Sequence, residues 1–306
     1  MRITLIARAG EETANLAALS ASVERWRGEG HEVRPRVTFE PGDERRFARV
    51  SRRWADLVVV AGGDGTLHEA VNGLTGKGAR PRLAIVPMGT GNDFASGIGL
   101  PVDDPETCLR LATSGRTVAV DIPRVNGRAF INVSLGGLGA RASRSASHES
   151  KKLLGALAYA LQGAREIADA VPHRARIRAD DVGVHAGEFL FFAVGNGRST
   201  GGGTLIAPGA DATDGRMDLV VLKAVSKLEL MRLLPAIRAG QHREHPEVIY
   251  VKARAIDIRL EGEVAVNVDG EPFDAHRLRY RSSSERIDVV VPHVSEDATD
   301  AEKREG

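Results

Sequence analysis

The period of the apolar positions changes near residue 123. Before that point, short solid runs alternate with stretches spaced at three and four. Residues 2–7 read as a first strand. Residues 12–29 carry Leu16, Leu19, Val23 and Trp26 at helical spacing and stop at Gly28 and Gly30. Residues 32–39 then predict a strand, 43–54 a helix, 57–60 a strand buried on both faces, 67–74 a helix and 82–86 a strand. A helix near 104–113 and a strand at 118–121 close this half. Strand–helix alternation at these lengths predicts a parallel sheet covered on both faces.

Beyond Pro123, strand-like runs dominate, at 129–135, 174–179, 188–194 and 217–222. Ile256, Ile258 and Leu260, then Val264, Val266 and Val268, alternate with polar or small residues. Period two predicts antiparallel sheet with one buried face. Helices are expected near 152–170 and 226–239. The expected organisation is an α/β domain over 1–122, a β-rich antiparallel domain over 123–294 and a charged tail over 295–306 without fixed structure.

With 306 residues, 42% hydrophobic and 27% charged, the chain has the composition of an ordinary globular protein with two sizeable cores. A net charge of +1 argues against a globally basic nucleic-acid binder. Cys108, the single cysteine, excludes an intrachain disulfide and reads as a packed thiol in a reducing compartment. The N-terminal apolar core is too short for a signal peptide, and no run approaches the ~20 residues of a membrane span. Any membrane contact is therefore expected to be peripheral, from the cytoplasmic side.

Candidate chemistry starts at 61–66, AGGDGT. A buried strand that breaks into Gly62, Gly63 and Gly65 and re-emerges as a helix can hold phosphate on backbone amides and a helix N-terminus. Asp64 lies between the glycines, placed to hold a cation beside that phosphate rather than to serve only as a turn residue. The loop 87–93, PMGTGND, follows the next strand, so the two loops are expected side by side at the sheet's carboxyl edge. Asp93 is equally readable as a helix cap or as a functional carboxylate, and Asp121, closing its strand, is ambiguous too. There is no Walker A loop. Gly137 to Ala142 fits the dinucleotide pattern G-x-G-x-x-A only superficially and reads better as a strand-end turn. In the second half, four glycines within 197–203 suggest a backbone approached closely by a ligand or another loop. Asp211 and Asp214 are candidate oxygen ligands for a hard cation, or an acidic surface turn. Asp269-Gly270 is a turn signal, and Glu271 beside it is either exposed or aimed into a cleft. Arg141, Arg144, His148, Lys151 and Lys152 form a basic run, read as a solvated helix start or as a patch for anionic headgroups.

These motifs occur in a familiar order: GGDGT-x-x-E, P-x-GT-x-NDFA, a glycine-rich GNG…GGG segment leading to DG, and DGEP. The chain resembles the diacylglycerol-kinase catalytic superfamily of lipid kinases, and within it the bacterial YegS-like branch, in which VT-x-E-x-GD at 37–43 also recurs. The resemblance covers about 2–292. It implies an N-terminal domain of the phosphofructokinase/NAD-kinase type followed by an antiparallel sandwich. ATP is implied as co-substrate, with Mg2+, or alternatively Ca2+, as cofactor. Nucleotide contacts are implied at Thr38, at Gly63, Asp64, Gly65, Thr66, Leu67, His68 and Glu69, and at Thr90; Gly62, Asn92 and Asp93 of the same two loops are grouped with them. Metal positions would fall at Asp211, Asp214 and Arg216, the last through its backbone carbonyl. Glu271 matches the proton acceptor, with Asp64 acting through water as the alternative, and Asp64, Asp93 and Asp121 match an acidic network lining the cleft. Two positions depart from the pattern: Ala7-Arg8-Ala9-Gly10 replaces an Asn-Pro-x-Ser-Gly loop, and His68 replaces an asparagine. The expected function is phosphorylation of a lipid hydroxyl, with phosphatidylglycerol first and diacylglycerol next, by an enzyme that meets its membrane lipid substrate through peripheral contact and has no nucleic-acid partner. The rivals are a soluble-substrate kinase of the NAD-kinase type and a non-catalytic nucleotide- or lipid-binding regulator.

Overall fold

A computed structural model of the chain describes residues 1–9, 13–76, 78, 80–138, 140 and 170–293. The first half forms β1 (Arg2–Arg8), α1 (Thr13–Gly28), β2 (Glu32–Thr38), α2 (Asp43–Ser51), β3 (Leu57–Gly62), α3 (Asp64–Leu74), β4 (Arg82–Pro87), α4 (Asp93–Gly97), α5 (Pro105–Ser114) and β5 (Arg116–Asp121). β3 has every residue buried, as its unbroken apolar run requires. It lies between β1 and β4, parallel to both. Edge strand β2 is largely exposed and carries Pro35 and three polar neighbours, a composition that discourages further strand addition. Asp104 caps α5, accepting from the amide of Thr107 at 2.9 Å. Cys108 is buried there, and burial raises its thiol pKa to about 11, which suits a packed and unreactive group.

The first sheet runs β2-β1-β3-β4-β15-β5, where β15 is Arg286–Val291 from the end of the chain. β15 lies parallel to β4, while β5 pairs antiparallel to β15 over Arg286↔Asp121 to Val291↔Arg116. The expected parallel sheet thus takes one antiparallel strand, β5, at its edge, and β15 from the end of the chain joins it. Val289, Val290 and Val291 complete the first core. This return bolts the far end of the chain into the sheet that carries the glycine loops.

The remaining strands are β6 (Arg124–Val125), β7 (Arg128–Ala129), β8 (Val133–Gly137), β9 (His173–Ala179), β10 (Val182–Gly195), β11 (Met217–Lys223), β12 (Val248–Ala253), β13 (Ala255–Val268) and β14 (Glu271–Arg281), with α6 (Lys227–Arg238) on one side. They form one antiparallel sheet, ordered β12-β11-β10-β8-β13-β14-β6-β7. β10 and β13 are long enough to pair with β9 over one half and with β8 over the other. The sheet therefore folds over on itself, and its two faces enclose Phe130, Phe189, Phe192 and Tyr280. A separate apolar layer sits under Leu230, Leu233 and Ile237 of α6. The alternation at 255–260 and 264–268 belongs to a single strand with a register irregularity between Arg259 and Val264. The strand-end reading of Gly137 holds, since β8 stops there at φ 84°. The helix expected near 152–170, the basic run from Arg141 to Lys152 and the tail lie outside the described residues. No helix among the described residues is long and apolar enough to cross a membrane.

Candidate active site

The turn after β3 and the turn after β4 are pressed together. A Cβ on Gly89 would lie 2.5 Å from the Cα of Gly63, so only glycine allows this approach. Met88 N donates to the Gly62 carbonyl at 3.1 Å. Asn92 adopts the left-handed conformation, φ 51°, and clamps the second turn: its Oδ1 accepts from Gly89 N at 3.0 Å and its Nδ2 donates to Gly89 O at 2.7 Å. The side-by-side placement expected for AGGDGT and PMGTGND is present. α3 starts at Asp64, with Gly63 as its cap residue and no side-chain cap bond. Its first amides are thus without a side-chain acceptor at the edge where β3 and β4 end. Thr90 is exposed on the second turn, and Glu69 is half-buried one turn into α3. Thr38 ends β2, two strands from β3 and so about 10 Å away. It is buried, and its hydroxyl donates to Glu44 Oε1 at 2.9 Å. In place of the Asn-Pro-x-Ser-Gly loop, β1 runs on to Arg8, and Ala9 N donates to the Thr38 carbonyl at 2.9 Å.

Asp64 and Asp93 sit at this edge, Asp269 and Glu271 approach α3 from the second half of the chain, and Asp121, paired with Arg286 ahead of the start of β4, lies at the opposite end of the first sheet. The structure divides the five by how fully their oxygens are committed. Asp93 heads α4, and its oxygens accept from Gly203 N at 2.7 Å and Gly202 N at 3.0 Å. These amides can reach it because Gly202 and Gly203 sit at φ 79° and 97°, a region closed to most side chains. The close neighbour expected of this glycine-rich loop is therefore Asp93. Asp121 accepts from Arg286 Nε at 2.7 Å and from Gly215 N at 2.6 Å, while its own amide donates to Ala212 O at 2.7 Å. Asp269, missed by the sequence reading, is the most heavily used. It accepts from Ile131 N at 2.8 Å, from Asn132 N and Val133 N at 3.0 Å each, and from His68 Nδ1 at 3.0 Å. Asp269 (φ 49°) and Gly270 (φ 97°) form the left-handed pair of a type I′ hairpin turn. The signal available in the sequence was an Asp-Gly turn directly after a strand with one buried face. Such a turn can direct its first side chain inward.

Asp93 thus joins the second glycine turn to the 202–203 loop, Asp269 joins the β-rich half to α3 through His68, and Asp121 joins the 211–216 loop to the far end of the first sheet. Asp64 is different. Among the described residues its hydrogen bonds are long, 3.4 Å from Asp93 N and 3.5 Å from Phe94 N. Burial, and then the neighbouring Asp93 charge, raise its pKa above the usual carboxylate value. A half-buried carboxylate facing like charge, with weak donors only, is chemically suited to a hard cation. Glu271 is exposed at the start of β14, two residues beyond the His68–Asp269 contact. Its charge, with that of Glu69, acts on the His68 imidazole. Burial opposes the charged form of His68, but the hydrogen bond and charge of Asp269 outweigh it and raise the pKa. His68 Nε2 lies 3.2 Å from Asn72 Nδ2. Asp64 and Glu271, from the two halves of the chain, are related through the Asp269 turn and His68: the Asp269 charge acts on Asp64, and the Glu271 charge acts on His68.

The 211–216 loop does not join them. Asp211 Oδ1 accepts from Thr213 N and Oγ1, at 2.9 and 2.7 Å. Asp214 Oδ1 accepts from Arg216 N at 2.8 Å, and its Oδ2 from Lys252 Nζ at 2.7 Å. Among the described residues no three His, Cys, Asp or Glu side chains gather as for a metal. At the expected metal positions Asp211, Asp214 and Arg216, each aspartate closes a turn on the residue two positions ahead, and the Lys252 ammonium lies against Asp214 Oδ2.

Comparison with known proteins agrees with this geometry. Residues 4–125 match the diacylglycerol kinase catalytic domain model. Residues 132–291 match the model of the YegS C-terminal NAD kinase beta sandwich-like domain. A Pseudomonas aeruginosa protein named "Probable lipid kinase YegS-like" is 33% identical over 287 residues, 92% of each chain. A Bacillus subtilis diacylglycerol kinase is 32% identical over 275 residues, 90% of each chain. A solved Bacillus anthracis structure described as "a putative diacylglycerol kinase" superposes with a TM-score of 0.79 at 26% identity, covering 96% of this chain and 98% of that one.

Proposed function

This chain belongs to the diacylglycerol kinase catalytic family, in its YegS-like form, and is a lipid kinase that uses ATP; from that premise we propose that it phosphorylates the free hydroxyl of a membrane glycerolipid, phosphatidylglycerol ahead of diacylglycerol. The order of the two acceptors rests on the YegS resemblance. The observation that supports the mechanism is the division of carboxylates: Asp93, Asp121 and Asp269 each accept short hydrogen bonds, while those of Asp64 are 3.4 and 3.5 Å and Glu271 is exposed.

In this reading, the ATP phosphates lie on the amides at the start of α3 and along the 88–92 turn, with Thr38 and Thr90 flanking the nucleotide. Mg2+, held through Asp64, would offset charge on the transferring group. The lipid hydroxyl oxygen attacks the γ-phosphorus, the bond to the β-phosphate oxygen breaks, and the hydroxyl proton passes to Glu271. General-base assistance of this kind is worth about 10²–10⁴ in rate, and positioning and electrostatics supply the rest. Glu271 suits the task because it is exposed, where a membrane-borne hydroxyl can reach it.

Access to lipid implies peripheral contact with the membrane, from the cytoplasmic side in this reading. Exposed Phe39 and Val50, with exposed Arg36, Arg45 and Arg49 on β2 and α2, support that contact. Arginines suit anionic headgroups, and apolar side chains suit the acyl boundary. The test is a screen of purified lipids in mixed vesicles with γ-labelled ATP and Mg2+. Label in phosphatidylglycerol above all other lipids supports the proposal; label only in a soluble acceptor such as NAD contradicts it.

A further inference from the structure

We propose that Lys252 is the resident cation of the 211–216 loop, and that its ammonium serves where the family resemblance implies a divalent ion, so this loop is held without metal. The reason begins in the sheet. β11 and β12 pair so that Lys252 stands directly opposite Asp218. Strand register therefore fixes the base of the lysine, whatever the loop does. Asp218 is only 1% exposed, and its carboxylate makes no close hydrogen bond within the described residues. The Tyr250 hydroxyl also faces it, as a neutral neighbour. A carboxylate in that position needs a cation. Lys252 Nζ lies 3.7 Å from Asp218 Oδ2 and 2.7 Å from Asp214 Oδ2, and so joins the buried strand residue to the exposed loop residue.

The ammonium has three donors in a compact charge, enough to serve two carboxylates at once. One oxygen of Asp211 and both oxygens of Asp214 are already engaged. Asp211 and Asp214 each accept from the residue two ahead, Thr213 and Arg216, and the Asp121 carboxylate holds Gly215 N. The loop thus reaches the first sheet through Asp121 and the second sheet through Lys252, with no step that needs a metal. Lys252 also gains from this setting: its pKa is raised by Asp214 and Asp218 against the effect of burial.

The experiment uses the full chain without nucleotide, stripped with chelator, and follows thermal unfolding as Mg2+ or Ca2+ is returned. Wild type is expected to show no rise with either ion that Asp214→Asn abolishes. Lys252→Met, which keeps length and removes charge, should unfold lower in chelator and recover part of the loss when Ca2+ or Mg2+ is added. Lys252→Arg should stay close to wild type and insensitive to metal. A wild-type transition that rises with either ion, and no longer rises in Asp214→Asn, overturns the proposal even if Lys252→Met does not fold. So does a Lys252→Met protein as stable in chelator as wild type.

Discussion

Asp269→Asn isolates the latch at the centre of the interface. The substitution keeps the shape and one acceptor. If the amide oxygen retains Asn132 N and Val133 N, the new NH2 faces Ile131 N–H and His68 Nδ1, where the carboxylate accepted at 2.8 and 3.0 Å. His68 can shift its proton and accept, but the Ile131 amide is left buried against another donor. One orphaned donor costs about 1–3 kcal/mol, and loss of the charge-assisted bonds brings the total to about 2–4 kcal/mol. With a urea m-value of about 3 kcal/mol/M, the midpoint should fall by roughly 1 M. Urea unfolding followed by two probes tests this. Both tryptophans, Trp26 and Trp54, lie in the first half and pack with its core, so fluorescence reports the α/β unit while far-UV circular dichroism reports the whole chain. The fluorescence and dichroism curves should also separate in the variant, because the Asp269 carboxylate bonds to both halves and its replacement loosens one from the other. A loss under about 0.5 kcal/mol with coincident curves would refute the role given to Asp269.

Other expected outcomes follow from the same contacts. Gly203→Ala, at φ 97°, should cost about 1–3 kcal/mol, and a double-mutant cycle with Asp93→Asn should be non-additive, because both changes break the 2.7 Å bond between them; additive losses would mean that the glycine acts by strain alone. His68 has a folded-state pKa raised above its unfolded value of about 6.5. Its stabilising contribution is therefore complete below that pH and lost as pH rises through the folded value, so the stability gap between wild type and His68→Asn should narrow from pH 6 to pH 9. Equal gaps across that range, measured by urea unfolding, would contradict the pairing with Asp269. Burial and Asp93 raise the Asp64 pKa as well, so its ionised form is held against a cost at neutral pH. Asp64→Asn should then unfold at a higher temperature than wild type, by about 2–4 °C for each kcal/mol relieved; a lower transition would show that Asp64 supports the fold.

Much of this was legible in the sequence for a local reason. β3 is a run of residues that can only be interior, and the glycines that follow leave few backbone alternatives, so the phosphate turn and its neighbour at 87–93 were readable together. The helices α5 and α6 end near where their caps and periodicity put them. What escaped depended on partners distant in the chain. Nothing near Arg286–Val291 says that it will insert between β4 and β5, because that pairing is decided by the unfilled edge of a sheet built more than 150 residues earlier. Asp93 and Asp121 looked like members of a ligand-binding network, since the sequence does not say that Gly202, Gly203 and Gly215 would bring amides to them. Asp269 hid behind its own turn signal. Lys252 carried no motif, and its meaning comes from the register that sets it opposite Asp218.

The central claim is that Asp64, alone among the buried aspartates of the crevice, is kept uncommitted for chemistry. It is tested most directly by the rate of labelled phosphate transfer from ATP to phosphatidylglycerol vesicles by Asp64→Asn, measured beside a folded wild-type control. A fall of about 10² or more, in a protein at least as stable as wild type, is the predicted result. Transfer within a fewfold of wild type would contradict the account.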